Sequence, residues 1–398
     1  MRYPLDDIRV LDMGWVVAGP QVGKLLADAG AQVIKVETYK RVDALRMGPD
    51  NLIRDVEGSP AFANINRGKR SITVDLTTPL GEKVLRELAA ISDVVISNFA
   101  PGVMAKHGLD YPSLSRLNPS IVVLALSGTG QQGPLHDVAA YGPTVTALGG
   151  MDALVGYPGE RVLGLGAFGD ANAAVYGSYG VLSAIYHMKQ TGRGQFVDLS
   201  EWETAISTIG EEVMAYTITG RVPQPQGNEH PLKAPHNVYR CNGEDAWVAI
   251  TVSDDAEWGA LCSALGRTEM AADPRYASAY ARLKHKKEID AVITEWTKPQ
   301  DAHGVAAGLQ RRGVAAVPWL DIGDRFTDPH FQRMFQALPH PRLGTVRHTA
   351  VSWDLSRTPA GFAVTGPTTG EGNNFAFKEL LCLRDGDYAS LTQQKSTA

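Results

Sequence analysis

The chain has 398 residues, 44% of them hydrophobic, and is therefore long enough for two lobes that each bury a core. Its 38 Lys and Arg residues against 43 Asp and Glu residues leave a formal charge of -5, which gives no general attraction to nucleic acid or anionic lipid. The three cysteines form no CxxC pair, which excludes a dense disulfide framework and a thiolate zinc site. Because no stretch resembles a signal peptide or reaches the ~18 apolar residues of a membrane span, we expect a cytoplasmic protein with no membrane partner.

Short apolar runs alternate with helix-like segments over the first 130 residues. This rhythm predicts parallel strands joined by crossover helices, which is a Rossmann-like α/β layer. The predicted strands are 8–13, 32–37, 71–76, 93–99 and 120–126, and predicted helices cover 20–30 and 78–92. A long helix is predicted at 167–195, closed by Gly192 and carrying a groove of small residues that another helix or a partner chain can approach.

A change of composition divides the rest of the chain. The segment 219–235 is rich in Pro and Gly without an apolar period, which is typical of a linker. Beyond it, a hairpin turning at Asn242-Gly243 and amphipathic helices within 256–266 and 284–312 predict a smaller α+β domain. We therefore predict a large Rossmann-like domain from 1–218, a small domain from 236–320, and a C-terminal return from 321–398 that completes the large domain.

Several familiar active-site patterns do not fit the sequence. Gly14, Gly19 and Gly23 follow the first strand at the wrong spacing for a dinucleotide-binding loop, so they more simply shape a turn that starts a helix. The histidines are scattered, with no HExxH motif, and no GxSxG elbow is present. We expect no metal site and no serine hydrolase.

Asp170 is the remaining candidate for chemistry. It stands between Gly169 and the long helix, where an aspartate can cap the helix. The same position suits a carboxylate nucleophile, because glycine leaves room for a substrate and free amides can stabilise an oxyanion. Local sequence leaves both interpretations open.

The chain resembles the family III CoA-transferases, the group that includes formyl-CoA transferase and carnitine CoA-transferase. The resemblance rests on ordered blocks along nearly the whole chain: PLDDIRVLDMGWVVAGP, GAQVIKVE, NRGKRSITVDL, SNFAPGVMAKHGLDYPSLSRLNPSIV, SGTGQQGP, GAFGDANAAVYG and TGRGQFVDLSEWETAI. It implies that Asp170 is a catalytic nucleophile which forms an aspartyl anhydride and then an aspartyl-CoA thioester. It further implies a dimer of two interlocked rings, with an identical chain or a homologous subunit as the second ring.

The resemblance also implies where coenzyme A, delivered as an acyl-CoA substrate, is bound. Val16, Val17 and Ala18 are expected to line its site after the first strand, with Asn98 and Phe99 near the adenine or pantetheine. Lys69, Arg70 and Lys106 are expected to hold its phosphates. Thr38 replaces an arginine of formyl-CoA transferases, so Lys40, Arg41 or Arg46 is expected to substitute. The substrate pocket is expected to contain Tyr141, Gly142 and Gly169.

The acceptor and two alternatives remain open. Gly142 replaces an acidic residue of formyl-CoA transferases, which disfavours oxalate; the stretch around it is more similar to transferases for larger aromatic or dicarboxylic acids, such as benzylsuccinate CoA-transferases that use succinyl-CoA. A racemase of 2-methylacyl-CoA shares the blocks, but Tyr141 stands at the position of its catalytic histidine and is a poor base. A non-catalytic subunit of a transferase heteromer is the other alternative.

The anhydride must be kept from water, so a loop that covers it is expected at 227–231.

Overall fold

The computed structural model describes residues 3–51, 53–160 and 163–392. The chain forms two compact units. The first comprises Met1–Asp152, Gly164–Val222 and Arg333–Ala398, and the second comprises Ala153–Leu163 and Pro223–Gln332. Residues 153–163 and 321–332 thus group with the second unit, whereas the sequence analysis placed both in the large domain. Among the described residues, no helix has the length and apolar character to cross a bilayer.

The first unit is built on one six-stranded sheet in which every pairing is parallel. Its strands are β1 Arg9–Asp12, β2 Gln32–Glu37, β3 Arg70–Thr73, β4 Val94–Ser97, β5 Val122–Ser127 and β6 Phe196–Ser200. The order β3-β2-β1-β4-β5-β6 is that of a doubly wound Rossmann fold. The predicted α/β fold class is therefore confirmed, and each predicted strand is present.

Helices cover both faces of this sheet because successive strand residues point to opposite sides. Val10 of β1 belongs to one buried cluster and Leu11 to the other. The helices of this part are α1 Ala18–Asp28, α2 Pro60–Ile65, α3 Pro79–Ala90, α4 Val103–Lys106, α5 Tyr111–Leu117, α6 Gly142–Leu148, α7 Phe168–Thr191, α8 Glu201–Thr208 and α9 Gly210–Thr219.

The long helix α7 ends at the predicted glycine and packs through its small residues. Gly192 caps it in the left-handed conformation. The predicted groove faces α1: a Cβ at Gly177 would lie 3.0 Å from Cγ2 of Val22 on that helix. The groove is thus occupied by a helix of the same chain, and α7 is held against the sheet with its first turn at the sheet edge.

The C-terminal segment of the first unit packs against β3. It contains the antiparallel strands β10 Phe335–His340 and β11 Gly344–Thr349, a π-helical turn at Phe375–Leu380 and the last helix, α17 Asp385–Thr392. The Asn373 side chain accepts from the amide of Thr73 at 2.8 Å and donates to its hydroxyl at 2.9 Å. Phe377 is fully buried in the sheet's core. These contacts hold β3, the strand at the edge of the sheet, in place.

The second unit is a small α+β body. Its sheet is antiparallel and comprises β7 His236–Arg240, β8 Trp247–Thr251 and β9 Ala315–Pro318. The predicted hairpin is confirmed as β7 and β8. Its helices are α10 Asp255–Leu265, α11 Thr268–Ala272, α12 Ala279–Lys284, α13 Lys286–Thr297, α14 Ala302–Gln310, α15 Ile322–Thr327 and α16 Pro329–Gln332.

Candidate active site

The carboxyl ends of the parallel strands form the edge at which this fold binds ligands. The chain runs from β1 to β2 and β3 on one side, and β4 to β6 lie on the other, so β1 and β4 flank the point where the strand order reverses. Binding sites of doubly wound sheets form at such a point. Three adjacent cavities open here in the first unit, and Phe99 and Ala100 line all three.

One of these cavities contains the predicted nucleophile, and we call it the reaction cavity. It has a volume of about 390 Å³. The second, of about 370 Å³, shares Trp15 and Arg41 with it. The third, of about 310 Å³, is lined mainly by apolar side chains, including Met104, Tyr111 and Phe196. The three cavities are adjacent around Phe99 and Ala100, and their arrangement suits an elongated ligand.

The turn after β1 is held in an unusual conformation at this edge. Val16 has a φ of +62°, which is rare for a β-branched residue. Its amide donates to both carboxylate oxygens of Asp43, at 3.2 and 3.3 Å. The Asn98 side chain accepts from the Trp15 amide at 2.7 Å and donates to the Trp15 carbonyl at 2.8 Å. The turn is therefore fixed from two sides, and Val16 and Val17 line the reaction cavity.

Asp170 lies in the first turn of α7 and lines the reaction cavity. The helix begins at Phe168 with Ala167 at its N-cap, so Asp170 is the third helical residue and not the cap that local sequence allowed. Two backbone amides, its own and that of Gly142, interact with its carboxylate. Burial raises the pKa of Asp170, while these two amides act in the opposite direction.

Gly142 leaves the space that the Asp170 side chain occupies, and Gly169 allows α7 to approach α6 closely. A Cβ at Gly142 would lie 2.0 Å from Oδ2 of Asp170 and 3.1 Å from Cα of Ala167. A Cβ at Gly169 would lie 3.1 Å from the Gly142 carbonyl oxygen. Both glycines are buried, and neither tolerates a side chain without displacement. Tyr141, which precedes α6, is 69% exposed and lines the same cavity.

A second carboxyl group lies in this cavity and was not predicted. Glu201 is the first residue of α8, directly after β6 ends, and it is only 6% exposed. Burial, together with the negative charge of Asp170, raises the pKa of Glu201 to about 8. Its position just beyond a parallel strand, at the binding edge of the sheet, is the signal that could have identified it from sequence.

The predicted phosphate-binding residues fall into two groups. Lys69 is fully buried, and its ammonium donates to Oδ2 of Asp12 at 2.7 Å, to Oδ1 of Asn66 at 2.8 Å and to the Pro20 carbonyl at 2.6 Å. Because an ammonium has only three donors, Lys69 has none left for a phosphate and is not retained as a ligand. Burial lowers its pKa to about 8, against the effect of Asp12.

The other basic side chains are distributed differently. Arg70 is exposed at the start of β3, far along the strand from the binding edge, with its guanidinium 4.1 Å from the Phe375 ring centroid. Lys106 is exposed at the end of α4. Among the expected substitutes for the missing arginine, Arg46 is buried between Glu37 and Glu57. Arg41 lines two cavities and is the substitute that the geometry favours.

The structure thus gathers most of the predicted site. The predicted residues that line the reaction cavity are Val16, Val17, Asn98, Phe99, Tyr141 and Asp170. Ala18, Gly142 and Gly169 are buried within the first turns of α1, α6 and α7. The same cavity is not lined by Lys69, Arg70 or Lys106.

A half-buried carboxylate at a Rossmann-type binding edge agrees with the similarity of the whole chain to known proteins. The sequence model described as CoA-transferase family III matches residues 5–373. The chain belongs to CoA-transferase family III. The expected family is therefore confirmed, and the protein is an enzyme that transfers coenzyme A between an acyl-CoA and a carboxylic acid.

Individual members of the family cover nearly the full chain. The succinyl-CoA–D-citramalate CoA-transferase of Chloroflexus aurantiacus is 35% identical over 396 residues, which is 98% of each protein. The beta subunit of succinyl-CoA–L-malate CoA-transferase from the same organism is 33% identical over 398 residues, again 98% of each. The crystal structure of a CAIB/BAIF family protein from Brucella suis superimposes with a TM-score of 0.85 at 32% identity, covering 94% of this chain and 98% of that one.

Proposed function

We propose that this family III CoA-transferase moves coenzyme A from succinyl-CoA to a dicarboxylic acid, with Asp170 as the nucleophile. The observation that carries the proposal is the Asp170 carboxylate, which lines the reaction cavity and is held by two backbone amides. The choice of substrates is supported by the relatives, which are named for succinyl-CoA and for dicarboxylic acceptors. The dicarboxylate is thereby favoured over the aromatic acceptor that the sequence left open.

The proposed reaction exchanges acyl bonds without an external energy source. The Asp170 carboxylate attacks the thioester carbonyl carbon, the carbon–sulfur bond breaks, and a mixed anhydride and CoA thiolate result. The thiolate attacks the aspartyl carbonyl carbon, which releases succinate and leaves an aspartyl-CoA thioester. The acceptor carboxylate attacks this thioester, giving a second anhydride and thiolate. The thiolate then attacks the acceptor's acyl carbon, which forms the product acyl-CoA and restores the Asp170 carboxylate.

The surroundings of Asp170 suit this chemistry. Partial burial removes water from the carboxylate, which makes it a stronger nucleophile towards a bound carbonyl. The amides of Gly142 and Asp170 fix one orientation of the side chain. The absence of a side chain at Gly142 leaves room for the Asp170 carboxylate beside the cavity. These features orient the nucleophile before substrate arrives.

The CoA moiety is proposed to follow the cavities around Phe99. Val16, Val17 and Asn98 form one wall of the reaction cavity, beside the turn that Asp43 and Asn98 hold. Arg41 lines the adjoining cavity as well and offers a guanidinium for a phosphate or for the distal carboxylate of a dicarboxylic substrate. Lys106 lies on α4, whose Met104 lines the third cavity, and is proposed as a phosphate contact.

A substrate panel tests the proposed reaction. Succinyl-CoA and acetyl-CoA are each offered with citramalate, malate, glutarate, mesaconate, the aromatic dicarboxylic acid benzylsuccinate and an aromatic monocarboxylic acid such as phenylacetate, and new CoA thioesters are identified by mass spectrometry. We expect succinyl-CoA with a dicarboxylic acid to give the highest kcat/KM. Transfer to a monocarboxylic or purely aromatic acid alone would contradict the proposed acceptor class.

The same mixtures, run in deuterium oxide, address the racemase alternative. A racemase must remove the α-hydrogen of an acyl-CoA, which would exchange with solvent, whereas the anhydride route leaves that hydrogen in place. We therefore expect product thioesters without deuterium at the α-carbon. The cavity-lining position of Tyr141, where the racemase carries its histidine, supports transfer over epimerisation.

We further propose an interlocked dimer, as the resemblance of the sequence implied. The face of α7 opposite α1 is apolar and exposed in the single chain: Tyr179 is 74% exposed and Tyr186 70%. Val175 and Leu182 lie on the same stretch and are also exposed. A face of this kind is typical of an obligate interface, for which we expect more than ~2,000 Å² of buried area.

Analytical ultracentrifugation checks the assembly. Two chains of 42.8 kDa should sediment together at nanomolar concentration, because interlocked rings cannot separate without opening or unfolding. If the purified protein alone forms the dimer, the second chain is an identical copy. If the dimer forms only when a homologous subunit is added, the second chain is that subunit. A stable, active monomer at nanomolar concentration would contradict the interlocked arrangement.

A further inference from the structure

The buried carboxyl group of Glu201 has no structural partner that accounts for its burial. It opens α8 beyond the end of β6, it lines the reaction cavity, and 94% of its surface is covered. Its Oε2 atom is buried and has no hydrogen-bond partner among the described residues. Burying such an atom without a partner destabilises the folded state, and groups of this kind are retained where they serve the ligand.

The charge of Asp170 on α7 acts on Glu201 and favours its neutral form. Helix α6, which packs against both α7 and α8, carries no ionisable side chain. Asp198 of β6 is engaged with the Gln131 amide at 3.0 Å. Glu203 on the same helix is exposed, and the other ionisable side chains that line the cavity are Arg41, His136, Asp137 and Tyr141.

Asp170 and Glu201 therefore differ in their surroundings, and Asp137 is a third carboxyl group on the cavity lining. Two backbone amides interact with the Asp170 carboxylate and favour its negative charge, whereas Oε2 of Glu201 has no donor among the described residues. Two neighbouring carboxyl groups cannot both ionise easily, so the proton resides on the group without donors. Burial and the Asp170 charge raise the pKa of Glu201 to about 8, which agrees with this division at neutral pH.

We propose that Glu201 is a second catalytic residue of the enzyme, which donates a hydrogen bond from its protonated carboxyl group to a negatively charged acyl oxygen of the bound substrate. This inference rests on the proposed function, because it assigns the oxygen to the acyl group that Asp170 attacks or to the acceptor carboxylate. In both cases the proton stays on Glu201, no covalent bond is made or broken there, and the hydrogen bond stabilises the charge of the oxygen. An ionised Glu201 would instead repel that oxygen.

Two variants separate this role from a structural one. Glu201→Gln keeps the size and a neutral hydrogen-bond donor, so kcat/KM at pH 7 should remain within about threefold of the unchanged enzyme. Glu201→Met keeps the volume but removes the donor, and its kcat/KM should fall at least about tenfold. Because Met also removes an unpartnered buried oxygen, the midpoint of thermal unfolding should rise as activity falls. A matched control is Glu203→Gln, which changes an exposed acid on the same helix.

The pH profile supplies the decisive readout. The unchanged enzyme should lose kcat/KM as pH rises through about 8, because Glu201 then ionises. This alkaline loss should disappear in Glu201→Gln and persist in Glu203→Gln. Infrared difference spectra between the unchanged protein and Glu201→Gln should show the carbonyl stretch of a protonated carboxylic acid at pH 7. That measurement needs no turnover, so a failure of the proposed transfer reaction would not be mistaken for a failure at Glu201.

Half-reactions identify the oxygen that Glu201 contacts. If Glu201→Met slows the release of CoA thiolate from succinyl-CoA as well as acceptor transfer, the oxygen belongs to the attacked acyl group. If only the acceptor half is slowed, it belongs to the acceptor carboxylate. The proposal would be overturned by an unchanged alkaline limb in Glu201→Gln, by full activity of Glu201→Met, or by a Glu201→Met protein that loses both stability and activity.

Discussion

Replacing Asp170 by Asn is expected to lower the rate of CoA transfer by at least about 10³-fold, because the amide cannot attack a thioester. The fold should survive, since the Asp170 side chain does not cap α7 and an Asn oxygen can still accept from the Gly142 amide. Initial rates with succinyl-CoA and the best acceptor of the panel measure the loss. The midpoint of thermal unfolding, followed by circular dichroism, should change by no more than a few degrees.

The Asp170→Asn variant needs a control in which an aspartate outside the reaction cavity is replaced by asparagine. Asp387→Asn changes an aspartate in the first turn of the distant helix α17 and should leave the rate unaltered. Transfer by Asp170→Asn at more than a small fraction of the original rate, in protein free of unchanged enzyme, would remove Asp170 from the role of nucleophile.

Replacing Gly142 by Ala is expected to cost at least about 10²-fold in kcat, through displacement of the nucleophile. The added Cβ would lie 2.0 Å from Oδ2 of Asp170, so one of the two groups must move. The KM for acyl-CoA should change less than kcat, because the walls formed by Val16 and Phe99 are untouched. Steady-state kinetics with both substrates varied separates the two parameters.

Gly210→Ala is a matched control for this substitution. Gly210 is also the first residue of a helix, α9, and an added Cβ there has no neighbour within 4 Å. It should leave kcat unchanged. If Gly142→Ala and Gly210→Ala behaved alike, the close approach between Gly142 and Asp170 would not be what orients the nucleophile.

The sheet could be predicted from sequence because its strands are buried on both faces. Segments such as IVVLAL at 121–126 are continuous apolar runs, and helical spacing between the predicted strands marks the crossovers. The predicted residues that line the reaction cavity, Asp170 among them, followed from the resemblance of whole blocks to a family. Both kinds of signal are carried by neighbouring residues in the chain.

Features that depend on distant contacts could not be read in this way. Lys69 stands in a polar stretch and suggests a surface cation, but it pairs with Asp12, 57 positions earlier, and is fully buried. Glu201 resembles an ordinary acidic residue in a first helical turn, where it is electrostatically favourable. Only the packing of α8 beside Asp170 reveals it as a buried acid.

The close approach of Gly142 to Asp170 is a third such contact. The two residues belong to different helices, and the sequence between them contains no pattern that predicts their distance. The sequence analysis placed Gly142 in the substrate pocket because it replaces an acidic residue of formyl-CoA transferases, whereas the structure relates it directly to the Asp170 carboxylate. Close backbone approach is a common reason for a buried glycine.

Chemical trapping of the acyl-enzyme tests the central claim that Asp170 carries the acyl and CoA groups during transfer. The enzyme is incubated with succinyl-CoA and then with hydroxylamine, which converts an aspartyl anhydride or thioester to a hydroxamate, and the peptides are sequenced by mass spectrometry. We predict a hydroxamate at Asp170 that is absent without succinyl-CoA and absent in Asp170→Asn. An unmodified Asp170 in enzyme that is turning over, or a hydroxamate at Glu201 instead, would contradict this account.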